Sequence, residues 1–108
     1  MTVAITDEKI AALASRIAEA VKPNRIIVFG SAARGKMGPH SDIDALVIMP
    51  DGVHRGHTTE EIYRQLWGFG VAKDIVVVTE SDVRERGDDP FSVIRQALSE
   101  GREVYRAS

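Results

Sequence analysis

Ile26-Ile27-Val28-Phe29-Gly30-Ser31, then ten residues, then Asp42-Ile43-Asp44-Ala45-Leu46-Val47-Ile48-Met49 is the stretch on which the fold turns. The run Ile26 to Phe29 is continuously apolar and closed by a glycine, the pattern of a buried strand. From Ser31 to Ser41 the chain is small, polar and rich in Gly and Pro, which predicts a loop with at most a turn or two of helix. A second strand is expected from Asp42 to Met49, stopped by the turn residues Pro50-Asp51-Gly52.

Upstream, Ile10, Leu13, Ala14, Ile17 and Val21 recur at helical spacing, with Thr6 as N-cap and Asp7 and Glu8 in the first turn. Pro23 ends that helix. Downstream, His54 to His57 reads as loop and Thr58 to Phe69 as helix, capped by Thr58 or Thr59 and stopped by Gly70. Residues 72–79, with Ile75-Val76-Val77-Val78, form a third strand of β-branched character. A polar stretch from Ser81 to Asp89 precedes a last helix starting at Pro90, with Phe91, Ile94 and Leu98 as its apolar stripe and Gly101 as its end. Glu103-Val104-Tyr105 adds a short edge strand. The expected architecture is α/β or α+β, a small mixed β-sheet flanked by helices, with residues 1–108 as one domain.

The 108 residues suffice for one hydrophobic core. An apolar content of 44% and a charged content of 28% are those of an ordinary globular protein and argue against long disorder. A net charge of −2 with scattered Lys and Arg gives no basic face, so no direct nucleic-acid or anionic-lipid binding is expected. The absence of cysteine excludes disulfides and thiolate metal sites. No secretory signal or apolar run of membrane-spanning length is visible, and a cytoplasmic location is expected.

The chemistry concentrates between Gly30 and Asp44. Gly30 ends a strand where the chain turns, and without a Cβ it lets a ligand approach the backbone. Ser31 follows with a hydroxyl and an N–H that can both donate to a phosphate oxygen. Asp42 and Asp44, at i and i+2 on a strand, point to one face with backbones about 6.5–7 Å apart. Two carboxylates so placed can converge on paired divalent cations, and magnesium suits an all-oxygen donor set that leaves positions for phosphates. An acid-x-acid pair on an exposed strand is otherwise common; the Gly-Ser turn before it is what lends it meaning.

Gly30 to Met37 also approaches the P-loop pattern G-x-x-x-x-G-K-[ST]. Met37 lacks the magnesium-binding hydroxyl, and Gly38-Pro39 follows where a P-loop opens a helix, so that reading fails. Arg34 and Lys36 are open to two readings, as phosphate-neutralising cations or as solvated loop charges. His40 is read as loop surface. His54 and His57, at i and i+3, lack a third ligand for a metal. Trp67 and Phe69 are read as core or interface residues.

The run Gly30-Ser31-Ala32-Ala33-Arg34-Gly35 with Ser41-Asp42-Ile43-Asp44 resembles the signature of the DNA polymerase beta-like nucleotidyltransferase superfamily, in its minimal (MNT) branch. The resemblance covers nearly the whole chain. It implies the polymerase beta-like fold and a loop in which Gly30, Ser31, Arg34 and Ser41 hold nucleotide phosphates. It implies two magnesium ions on Asp42 and Asp44 and a third carboxylate from a later strand, for which Asp74 is the match. Asp74 taken alone could equally be a strand-end residue paired with a cation. The resemblance further implies AMP transfer from ATP to a hydroxyl. MNT proteins are the antitoxin halves of modules whose other half is a helical HEPN toxin, modified on a tyrosine. Two alternatives stand beside this: an interaction module that silences its partner by contact alone, and a small-molecule nucleotidyltransferase whose pocket a separate subunit completes.

Overall fold

The computed structural model describes residues 7–30, 43–70 and 73–107. In chain order these are α1 (Asp7–Val21), β1 (Arg25–Phe29), β2 (Ile43–Met49), α2 (Arg55–Gln65), β3 (Lys73–Thr79), α3 (Glu80–Arg86), α4 (Val93–Glu100) and β4 (Arg102–Arg106). The strands make one mixed sheet in the order β3-β2-β1-β4. β1 is antiparallel to both β2 and β4, whereas β2 and β3 run parallel, joined by the crossover through α2.

Strand parity sorts the side chains onto two faces. Ile26, Val28, Ile43, Ala45, Val47, Ile75 and Val77 pack with Ile10, Leu13, Ile17, Ile62 and Leu66, so α1 and α2 cover one face. Ile27, Phe29, Leu46, Ile48 and Val78 pack with Ile94 and Ala97 of α4 on the other. Both faces of β2 are therefore buried, which is why its sequence is a continuous apolar run rather than an alternation.

At one end of the sheet, the Asn24 N–H donates to the Ile48 carbonyl at 2.8 Å, and the Asn24 carbonyl accepts from the Ala107 N–H at 2.8 Å. Lys22, at φ +51°, turns the chain from α1 into β1. The opposite end gathers the close of β1 and the starts of β2 and β3. Among the described residues no helix is long and apolar enough to cross a membrane.

The fold class and the order of the three main strands follow the sequence reading, but three helical elements differ from it. α2 starts at Arg55, three residues before the expected helix start at Thr58, because His54 is its N-cap: the ring Nδ1 accepts from the His57 N–H at 3.1 Å. It ends at Gln65, before Trp67 and Phe69; Phe69 is buried, whereas Trp67 is 90% exposed and no part of the core. The polar stretch after β3 is helix α3, started by a capping box in which Thr79 and Asp82 each accept the other's N–H. α4 begins at Val93 with Ser92 as N-cap, so Pro90 is not in the helix and Phe91 is not on its buried stripe. Phe91 is 96% exposed.

Candidate functional site

The site lies at the sheet end where β1 stops and β2 and β3 begin. Phe29 is the register partner of Asp44 on β1, and Asp74 is the register partner of Asp44 on β3. Register partners on adjacent strands share a face, with strands about 4.8 Å apart. Ile43 and Ala45 point into the α1/α2 core, so Asp44 lies on the other face, and Asp74 lies beside it. That face is the one covered by α3 and α4 further along the sheet. Asp44 is half-buried and Asp74 exposed, so the pair opens to solvent.

Gly30 closes the site from the β1 side. Its φ is +71°, in the left-handed region that favours glycine. A Cβ on Gly30 would stand 2.6 Å from Oδ2 of Asp44. The missing side chain therefore does two things: it permits the turn out of β1, and it leaves room for the Asp44 carboxylate against the backbone.

β3 is an edge strand, and its start is fixed from outside the sheet. The Tyr63 hydroxyl on α2 accepts from the Ile75 N–H at 3.1 Å, immediately after Asp74. Nothing in the sequence marks Tyr63 for this role, since it depends on the crossover laying α2 beside β3.

Among the sequence-derived site residues, Gly30, Asp44 and Asp74 are thus brought together. Ser31, Arg34, Ser41 and Asp42 lie outside the described residues, as do Lys36 and His40. Among the described residues no group of three or more His, Cys, Asp or Glu side chains could by itself hold a metal ion. Asp44 and Asp74 stand as adjacent carboxylates, and the third of the expected acids, Asp42, lies outside the described residues. The rings of His54 and His57 stack at 3.9 Å between centroids, and His54 Nδ1 is engaged in the cap, so this pair is a helix-start device.

Beyond the acids, the same face continues into a groove of about 360 Å³ between β3, α3 and the segment leading into α4. Val76, the next same-face residue after Asp74, lines its floor with Val78. Asp82 on its wall is held as a carboxylate below its ordinary range, first by the Thr79 N–H and then by Arg55, whose guanidinium donates to it at 2.8 Å.

Comparison with known proteins places this geometry. The sequence profile of the nucleotidyltransferase domain family matches residues 10–104. A bifunctional uridylyltransferase/uridylyl-removing enzyme of Pseudomonas putida (strain W619) is 29% identical over 87 residues, covering 75% of this chain and 10% of the relative. The enzyme of the same description from Burkholderia pseudomallei (strain K96243) is 37% identical over 62 residues, covering 57% of this chain and 7% of the relative. The chain thus spans a tenth or less of the length of these curated relatives. Among solved structures, a toxin-antitoxin with AMP-PNP superposes with a TM-score of 0.61 at 21% identity, over 94% of this chain and 73% of that one. The toxin-antitoxin MntA-HepT superposes with a TM-score of 0.60 at 16% identity, over 94% and 74% of the two chains. At those identities the likeness is one of fold.

Proposed function

The chain belongs to the nucleotidyltransferase domain family, and from that premise we propose that it transfers AMP from ATP to a protein hydroxyl. The acceptor in this reading is a tyrosine of a HEPN-type toxin, so the chain acts as the cytoplasmic antitoxin of a two-protein module. The observation that carries the proposal is the placement of Asp74 directly opposite Asp44 on the open face, with Gly30 abutting Asp44.

In the proposed reaction the acceptor oxygen attacks the α-phosphorus in line. The new O–P bond forms as the bond to the bridging oxygen breaks, and pyrophosphate leaves. Gly30 admits the triphosphate to the backbone, and Ser31 donates to a phosphate oxygen, with Arg34 and Ser41 as further phosphate contacts. In this reading Asp74, on the edge strand and exposed, takes the proton of the incoming hydroxyl.

The donor set fits magnesium: adjacent carboxylates on one face, open to solvent, with no nitrogen or sulfur donor beside them in the described sheet. Asp42, Asp44 and Asp74 would hold two such ions, which supply Lewis-acid stabilisation of the entering and leaving oxygens. The fold shared with a toxin-antitoxin described with AMP-PNP is in keeping with an adenine nucleotide, and the fold shared with the toxin-antitoxin MntA-HepT is in keeping with a toxin partner. The uridylyltransferase relatives make UTP the alternative donor to be tested beside ATP.

The deciding experiment incubates the chain, magnesium and the HEPN-type partner with α-phosphate-labelled ATP or, in parallel, UTP. Label on the partner from ATP, lost in Asp42→Asn and Asp44→Asn and with chelator, is the expected result. Label from UTP alone would replace the donor. No label, with wild type and both variants still silencing the partner, would reduce the domain to an interaction module.

A further inference from the structure

We propose that Tyr63 is a positioning residue for Asp74: its hydroxyl pins the outer edge of β3 at Ile75 and so keeps the Asp74 carboxylate opposite Asp44, ready for magnesium. The inference rests on the transferase reading above and adds the group that holds one of its carboxylates in place.

Asp74 depends on outside support more than Asp44 does. Asp44 lies on β2, with β1 on one side and β3 on the other, whereas Asp74 is the second residue of β3, an edge strand paired only with β2. The Asp74 side chain is exposed and has no hydrogen-bond or ion-pair partner among the described residues, so its backbone alone sets where it stands. Upstream, the connection from α2 carries Gly68 and Gly70 at φ +76° and +85°, and its buried anchor among the described residues is Phe69. Downstream, the buried anchor is Ile75, the residue next to Asp74.

Tyr63 acts at that second anchor. Its hydroxyl accepts from the Ile75 N–H at 3.1 Å, on the edge of β3 that faces away from β2. At the far end of the strand the Thr79 N–H donates to the Asp82 carboxylate at 3.0 Å, but that contact belongs to the α3 capping box. The Tyr63 contact serves no cap or turn. Tyr63 sits within α2 and is 39% exposed, so nothing in the helix itself requires its hydroxyl to turn onto the neighbouring strand.

The consequence is geometric. The exposed start of an edge strand opens locally at low cost, and a hydrogen bond on its free edge opposes that opening. Small displacements of a carboxylate that must meet a metal or a reacting hydroxyl are expensive in rate. Groups that orient a metal ligand from behind are typically worth about 10–100-fold in metal affinity or activity.

The test titrates magnesium alone into the chain, followed by amide NMR, for wild type, Tyr63→Phe, Asp74→Asn and the double variant. Magnesium should bind about tenfold more weakly to Tyr63→Phe than to wild type. Asp74→Asn and the double variant should differ by less than about twofold, because Tyr63 acts through Asp74. Ser92→Ala, which removes the α4 N-cap, lowers stability away from the acids and should bind magnesium like wild type. In the labelling assay Tyr63→Phe should lower kcat about tenfold, with KM for ATP and for the partner within about twofold of wild type. Unchanged magnesium affinity in Tyr63→Phe overturns the inference, and so does the same loss with and without Asp74. A matching loss in Ser92→Ala would reduce Tyr63 to a stabilising contact, and a raised KM for the partner at unchanged kcat would make it an acceptor contact; either result overturns the positioning role. A wild type that binds magnesium but labels nothing sinks the transferase reading and leaves the positioning role to be decided by the magnesium cycle. A wild type that binds no magnesium overturns the inference whether or not it labels.

Discussion

Replacing Gly30 with alanine tests the coupling between the β1 turn and the Asp44 carboxylate. Two costs are separable. A left-handed φ of +71° costs a non-glycine residue about 1–2 kcal/mol. A Cβ placed 2.6 Å from Oδ2 of Asp44 must in addition push that side chain aside, an overpacking cost of about 1–3 kcal/mol. Together Gly30→Ala should destabilise by about 2–5 kcal/mol, a fall in Tm on the order of 10–20 °C for a domain of this size. Urea denaturation of wild type, Gly30→Ala, Asp44→Ala and the double variant measures both parts. In the Asp44→Ala background the carboxylate is gone and only the backbone cost of about 1–2 kcal/mol should remain. The coupling energy should therefore be about 1–3 kcal/mol. Strict additivity, or a Gly30→Ala variant within about 0.5 kcal/mol of wild type, would refute the reasoning.

Asp74→Asn removes one of two like charges standing directly opposite on adjacent strands and should raise metal-free stability by about 0.2–1 kcal/mol. Magnesium should raise the Tm of the wild type more than that of this variant; equal shifts would argue against Asp74 as a ligand. Tyr63→Phe leaves the Ile75 N–H without its acceptor and should cost about 0.5–1.5 kcal/mol, with faster amide exchange at Ile75 as the local sign. Asp82→Ala removes half of the α3 capping box and should cost about 1 kcal/mol near neutral pH. Because the folded state holds Asp82 below its ordinary carboxylate range, its contribution is present above the unfolded pKa and is lost as pH falls through the folded one. The stability gap between wild type and Asp82→Ala should therefore narrow progressively below about pH 4, and a gap that stays constant on acidification would contradict that assignment.

What the sequence by itself determined was local. The continuous apolar runs of β1 and β2 announce strands buried on both faces, and Gly30 after Phe29 announces the turn. The same short-range logic located α1 and placed Asp44 on the face opposite Ile43. It misplaced the start of α2 because a histidine cap is an uncommon signal. It missed α3 because a seven-residue helix depends on its capping box rather than on periodicity. It assigned Phe91 to a core that the turn at Asp89 keeps it out of.

What only the tertiary structure decided was which distant residues meet. Sequence spacing alone cannot say that Asp74 stands opposite Asp44, because the register of parallel strands is set by how the α2 crossover packs on the sheet. The steric fit of Gly30 against Asp44, the Tyr63 hold on β3 and the groove between β3 and α3 likewise arise from contacts between elements far apart in the chain. Such contacts are fixed by packing, and no local periodicity encodes them.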